Sequence, residues 1–188
     1  MHLLFVDFSK AFDTVPWEPL WYLLQEKYKV PAVIVNTLRR LHTGYTARVT
    51  YGGQLDSEAF AVLVGVLQGG ITSPVLWNLY LNSVLATWRS RLRRTDGVKV
   101  VCHPDGSIRS VQRTNARLGR IIEWLKDLEF ADDCVLLAHG RTQFSRMVLR
   151  FADTVEAFGL RMNLKRGKTT ALRLKRLEKT RYGRKTVS

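Results

Sequence analysis

Glu129-Phe130-Ala131-Asp132-Asp133-Cys134-Val135-Leu136-Leu137-Ala138 sets two adjacent carboxylates between apolar residues. Residues 135–138 favour a strand and Phe130-Ala131 precedes the acids, so the pattern predicts strand, tight turn, strand, with both acids at the tip. Two anions side by side repel each other, and a cation between or beside them favours their charged forms. A divalent ion held by carboxylate oxygens relieves that repulsion, and Mg²⁺ is the hard cation that combines a few carboxylates with substrate phosphates. Working outward, Leu3-Leu4-Phe5-Val6-Asp7-Phe8 is an apolar strand with one acid set into it. An aspartate buried in such a strand is costly unless it is paired or coordinated. Asp7 and Asp132 together suit a site of two ions, which clamps the attacking and leaving oxygens of a phosphoryl transfer. Taken singly, each has a plainer reading: a double Asp is ordinary turn chemistry, and a lone strand Asp is often an edge residue.

Four segments, in order, carry a resemblance. Phe5-Val6-Asp7-Phe8-Ser9-Lys10-Ala11-Phe12-Asp13-Thr14-Val15 resembles the first catalytic motif of reverse transcriptases in their non-LTR, LINE-type retrotransposon form. Gly65-Val66-Leu67-Gln68-Gly69-Gly70-Ile71-Thr72-Ser73-Pro74-Val75-Leu76-Trp77-Asn78-Leu79-Tyr80-Leu81 resembles the second. Phe130-Ala131-Asp132-Asp133 resembles the third, the double-Asp box, with Phe where Tyr is usual. Phe158-Gly159-Leu160-Arg161-Met162-Asn163, with Lys168-Thr169, resembles the fourth.

The resemblance covers residues 3–174 and implies an RNA-directed DNA polymerase, that is, a nucleotidyltransferase using two Mg²⁺ ions, with Mn²⁺ as substitute. Its implied partners are an RNA template, a DNA primer and dNTPs. It implies Asp7 and Asp132 as the carboxylates on both metals, Asp133 as a weaker partner, and the Phe8 carbonyl as a further ligand. Phe12 is implied to stand under the sugar and exclude a 2′-hydroxyl. An acid at that spacing marks RNA-dependent RNA polymerases, and Asp13 falls one residue late; that family and group II intron maturases are disfavoured accordingly. Gln68 and its loop, Gly69 included, are implied to contact the incoming nucleotide. Lys168 matches the lysine near the nucleotide phosphates, although it lies five residues after Asn163 where about three is usual; Lys165 is its rival.

Composition agrees with a nucleic-acid protein. The formal charge is +14 on 188 residues. Between residues 161 and 188 stand eleven Lys or Arg and one acid, Glu178, a local charge of +10. Such a block reads as a phosphate-binding arm or as a disordered solvated tail, and residues 175–188 are expected to be a basic tail after a palm-like domain at 1–174. Arg89, Arg91, Arg93 and Arg94 form a smaller cluster that either follows a nucleic-acid backbone or complements a helix C-terminus. No run reaches the ~18–20 apolar residues of a membrane span. Cys102 and Cys134 have no metal-ligand spacing and read as reduced core thiols of an intracellular protein, nuclear before cytoplasmic.

Periodicity predicts helices over 17–28, 31–41, 74–91 and 142–158, the third capped by Ser73 with Pro74 in its first turn. It predicts hairpins joining 46–51 to 59–64 around Gly52-Gly53, and 98–101 to 107–111 around Pro104-Asp105-Gly106. Residues 121–130 contain the strand that delivers the double Asp, with helix as the alternative over 121–126. Residues 169–174 form a last strand. Strands joined by hairpins among helices argue for an α+β fold, a polymerase palm with an antiparallel sheet and helices on one face. Only six residues precede Asp7, so the chain is expected to be a palm portion of a longer polyprotein, with fingers and thumb largely missing. Two functions follow: a working polymerase palm, or a catalytically inactive nucleic-acid-binding remnant.

Overall fold

Leu4, Val6 and Phe8 are buried while Phe5 is 44% exposed, the alternation of a strand with one covered face. The computed structural model describes residues 1–52, 54–55, 57–102 and 121–174. In it, β1 (His2–Val6) is central. It pairs antiparallel with β10 (Thr170–Arg173) on one side and β9 (Asp133–Ala138) on the other. β8 (Asp127–Phe130) pairs with β9 and completes the order β10-β1-β9-β8.

Cross-strand partners share a face, so the register sorts the sheet. Leu4 and Leu136 face one way, with Val6 opposite Cys134. Phe5, Val135 and Leu128 face the other. The first face is covered by α3 (Ser73–Ser90) and α4 (Arg141–Ala157). These helices bury Trp77, Tyr80, Leu81, Leu85, Trp88, Met147 and Phe151. Trp88 Nε1 donates to the Met147 carbonyl at 3.0 Å, and its ring meets Phe151 edge-on at 5.5 Å. α1 (Trp17–Tyr22) and α2 (Ala32–His42) add Leu20, Trp21 and Val35 to the same core. This is the α+β palm-like arrangement read from the sequence.

Several boundaries differ from the expectation. The helix from residue 17 loosens after Tyr22 into a wider, π-type turn over Leu23–Lys27, which still buries Leu24. Thr72, not Ser73, caps α3, with no side-chain hydrogen bond; Ser73 is its buried first residue. The hairpin around Gly52 is two short ladders: β2 (Thr46–Ala47) with β5 (Phe60–Ala61), and β3 (Thr50–Tyr51) with β4 (Gln54–Leu55). Between them the Val49 N–H turns to the Ser57 hydroxyl at 2.8 Å, which interrupts the ladder. β6 (Val98–Cys102) pairs antiparallel with β7 (Ile121–Leu125). Residues 107–111 and the turn at 104–106 lie outside the described residues, as does the tail 175–188. The strand expected within 121–130 is two strands, parted at Lys126 where Asp127 turns inward to Arg89.

The arginine cluster is partly engaged in the fold. Arg89 grips the buried Asp127 with two nitrogens and lies 3.9 Å from Glu129, and the bond to Asp127 raises the guanidinium pKa. Arg91 donates to Thr154 Oγ1 at 3.1 Å. Cys134 is a free buried thiol whose pKa burial pushes far up, as expected of a core cysteine. The side chain of Cys102 lies outside the described part.

Candidate active site

Asp7 leaves the end of β1 into a cradle made by residues 163–169. Its backbone N–H donates to Thr169 Oγ1 at 3.2 Å. Its carbonyl accepts from the Asn163 N–H at 2.7 Å. Asn163 Nδ2 donates to the carboxylate at 2.8 Å, and Lys168 Nζ lies 3.9 Å from the other oxygen. Gly167, at φ +81°, turns the loop back so that the Thr169 N–H closes on the Asn163 carbonyl at 3.0 Å. The long spacing from Asn163 to Lys168 is therefore the length of this closed loop. Lys168, not Lys165, is brought to Asp7; among the described residues the Lys165 side chain has no ion-pair partner. Asn163 and Thr169 belong to the site although neither carries a role in the sequence reading. Their residue types do not announce an aspartate more than 150 positions away.

The double Asp stands as expected at the β8–β9 turn. Ala131 takes the left-handed conformation, φ +55°, which costs a residue with a Cβ about 1–2 kcal/mol. Its carbonyl accepts from Trp77 Nε1 at 3.2 Å. Asp132 is in the turn and Asp133 opens β9, both exposed. The last register pair is Val6 opposite Cys134; one residue further stand Asp7 and Asp133, on the uncovered face. Among the described residues neither Asp132 nor Asp133 meets a cation in an ion pair.

Phe8 forms an isolated bridge with Met162, flanked by bonds from the Ser9 N–H to the Arg161 carbonyl and from the Asn163 N–H to the Asp7 carbonyl. In such a pair the central residue's own N–H and C=O point away from the partner strand. The Phe8 carbonyl is thereby turned to the β9 side, where the double Asp stands.

The first and second motifs are clipped together. Gly65, at φ +97°, packs where a Cβ would fall 2.8 Å from the Asp13 carbonyl oxygen. Its N–H donates to the Val15 carbonyl at 2.9 Å, and the Val66 N–H donates to the Phe12 carbonyl at 2.7 Å. Trp17 Nε1 reaches the Gly65 carbonyl at 2.6 Å. Further along the same loop, Gln68 Nε2 donates to Asp13 Oδ1 at 3.0 Å. A carboxylate only accepts, so this contact fixes the amide and leaves the Gln68 carbonyl oxygen outward. Gly69, at φ +82°, makes the turn that follows. Phe12 is half-buried and stacks on Trp77, ring centres 5.8 Å apart.

The oxygen donors at this end of the sheet are anionic or carbonyl, the set that suits a hard divalent cation. Among the described residues, no three His, Cys, Asp or Glu side chains converge as a ready-made metal cage. The donor chemistry fits; Asp7 follows Val6 and Asp133 precedes Cys134, the last register pair of β1 and β9, with Asp132 in the adjoining turn.

A family model described as reverse transcriptase (RNA-dependent DNA polymerase) matches residues 1–182. The Retrovirus-related Pol polyprotein from type-2 retrotransposable element R2DM of Drosophila melanogaster is 27% identical over 158 residues. That alignment covers 84% of this chain and 12% of the polyprotein.

Proposed function

Because the chain belongs to the reverse transcriptase (RNA-dependent DNA polymerase) family, we propose that residues 1–174 are a polymerase palm that adds dNTPs to a DNA 3′-hydroxyl on an RNA template. The observation that supports it best is the gathering of all four motif segments. Asn163, Lys168 and Thr169 surround Asp7, Asp133 lies one residue beyond the Val6–Cys134 pair as Asp7 does, and Gln68 is tied to Asp13 beside Phe12.

Asp7, Asp132, Asp133 and the Phe8 carbonyl would hold the divalent ions. Two Mg²⁺, or Mn²⁺ in their place, supply Lewis-acid stabilisation of the attacking and leaving oxygens when bound. The protein's own part is positioning, which carries much of the catalysis in phosphoryl transfer. Asn163 and Thr169 hold Asp7 by carboxylate and backbone, so its oxygens keep one orientation. Lys168 keeps an ammonium beside that carboxylate and is the proton donor for the departing phosphate oxygen. Phe12 underlies the sugar, and the outward Gln68 carbonyl oxygen accepts a hydrogen bond from the incoming nucleotide. Fingers and thumb contacts would come from other parts of a longer polyprotein, and the basic residues of 175–188 would follow nucleic-acid phosphates. A DNA product and the free thiol of Cys134 suit an intracellular setting, the nucleus before the cytoplasm. Among the described residues no helix is long and apolar enough to cross a membrane.

The test is primer extension on an RNA template with a DNA primer, Mg²⁺ and dNTPs, comparing this chain with a folded Asp132→Ala variant. Extension that vanishes in the variant is the expected result. No extension from the folded parent chain overturns the reading in favour of a nucleic-acid-binding remnant.

A further inference from the structure

Trp77 touches the first motif and the turn of the double Asp, yet none of the roles above uses it. It is 1% exposed. Its ring stacks on Phe12 with centres 5.8 Å apart and meets Phe8 edge-on at 5.6 Å. Its indole N–H donates to the Ala131 carbonyl at 3.2 Å. Ala131 is the strained turn residue, φ +55°, directly before Asp132. A residue that only filled the core would need bulk there, and Phe or Leu would serve. Here the single polar atom of the side chain is bonded to the backbone that sets the position of the double Asp.

We propose that Trp77 is a positioning residue. It fixes the β8–β9 turn against the first motif, so that Asp132 and Asp7 reach one divalent cation. This role rests on the polymerase-palm reading and adds a residue to it.

The experiment measures Mn²⁺ binding to the 188-residue chain by electron paramagnetic resonance, so it does not depend on turnover. Four proteins are compared: the parent, Asp132→Ala, Trp77→Phe, and the chain with benzothienylalanine at position 77, which keeps the indole shape and puts sulfur in place of the N–H. Leaving a carbonyl without its donor predicts Mn²⁺ binding weakened about tenfold in both position-77 variants. Circular dichroism must show the variants folded; if Trp77→Phe fails to fold, the benzothienylalanine chain decides. Unchanged Mn²⁺ affinity in a folded position-77 variant, with Asp132→Ala impaired, overturns the role of Trp77 alone. Asp132→Ala binding Mn²⁺ as well as the parent overturns the metal site itself, and the Trp77 inference with it.

Discussion

Lys168 and Lys165 are both candidates for the proton donor by sequence, and a 3.9 Å approach to Asp7 separates them. Lys168→Met should lower kcat by roughly 10²-fold, the low end for a lost general acid, while Lys165→Met leaves kcat within about twofold. The reverse order in single-turnover extension would return the role to Lys165. Phe12 makes a second single-residue claim. Its ring stacks on Trp77, so the proposed gate is tested by Phe12→Val in a variant that circular dichroism shows folded. Ribonucleotide incorporation relative to dNTP should rise, and unchanged sugar selectivity would remove Phe12 from the gate.

Between elements, the Arg89–Asp127 pair ties α3 to the strand that delivers the double Asp. Asp127 is 4% exposed at its side chain and Arg89 36%, so this is a half-enclosed pair. Arg89→Met leaves a buried carboxylate without its partner. Fully enclosed cases lose about 3–5 kcal/mol, and the exposure of Arg89 brings the expected loss to roughly 1–3 kcal/mol. The check is urea unfolding of Arg89→Met beside Arg89→Met/Asp127→Leu. The double variant should recover most of the loss; equal destabilisation of both would mean that the pair, not the orphaned charge, carries the stability. The broken hairpin at residues 46–61 belongs to this scale too, because a side chain, Ser57, competes there for a backbone donor.

Over the whole molecule, charge and shape divide the work. One sheet face is buried under α3 and α4; the other, with Phe5, Leu128 and Phe130 exposed, is the face that carries Asp7 and Asp133. Residues 175–188 carry six Lys or Arg against Glu178, +5 of the net +14. Deleting residues 175–188 should flatten the plot of log affinity for single-stranded RNA against log salt, by about 0.7 for each phosphate that the tail neutralises. A slope that does not change would make the tail a bystander.

Much of this was legible in the sequence because short-range rules decide it. Apolar runs of strand formers at residues 3–8 and 135–138 specified strands, and the Asp-Asp between apolar residues specified the turn. Gly159 ended α4 at φ +75° as a glycine at that position should. The four motif segments were visible as motifs for the same reason: each is nearly contiguous. What required the tertiary structure were pairings across long gaps, which chain order does not encode locally. They include Asn163 on Asp7, Gln68 on Asp13, Trp77 on Ala131, Arg89 on Asp127, and β7 beside β6. Each is chosen by which faces the buried core forces together. Composition and periodicity determined the parts and the charge; packing of one sheet face under two helices determined which side chains meet at the other.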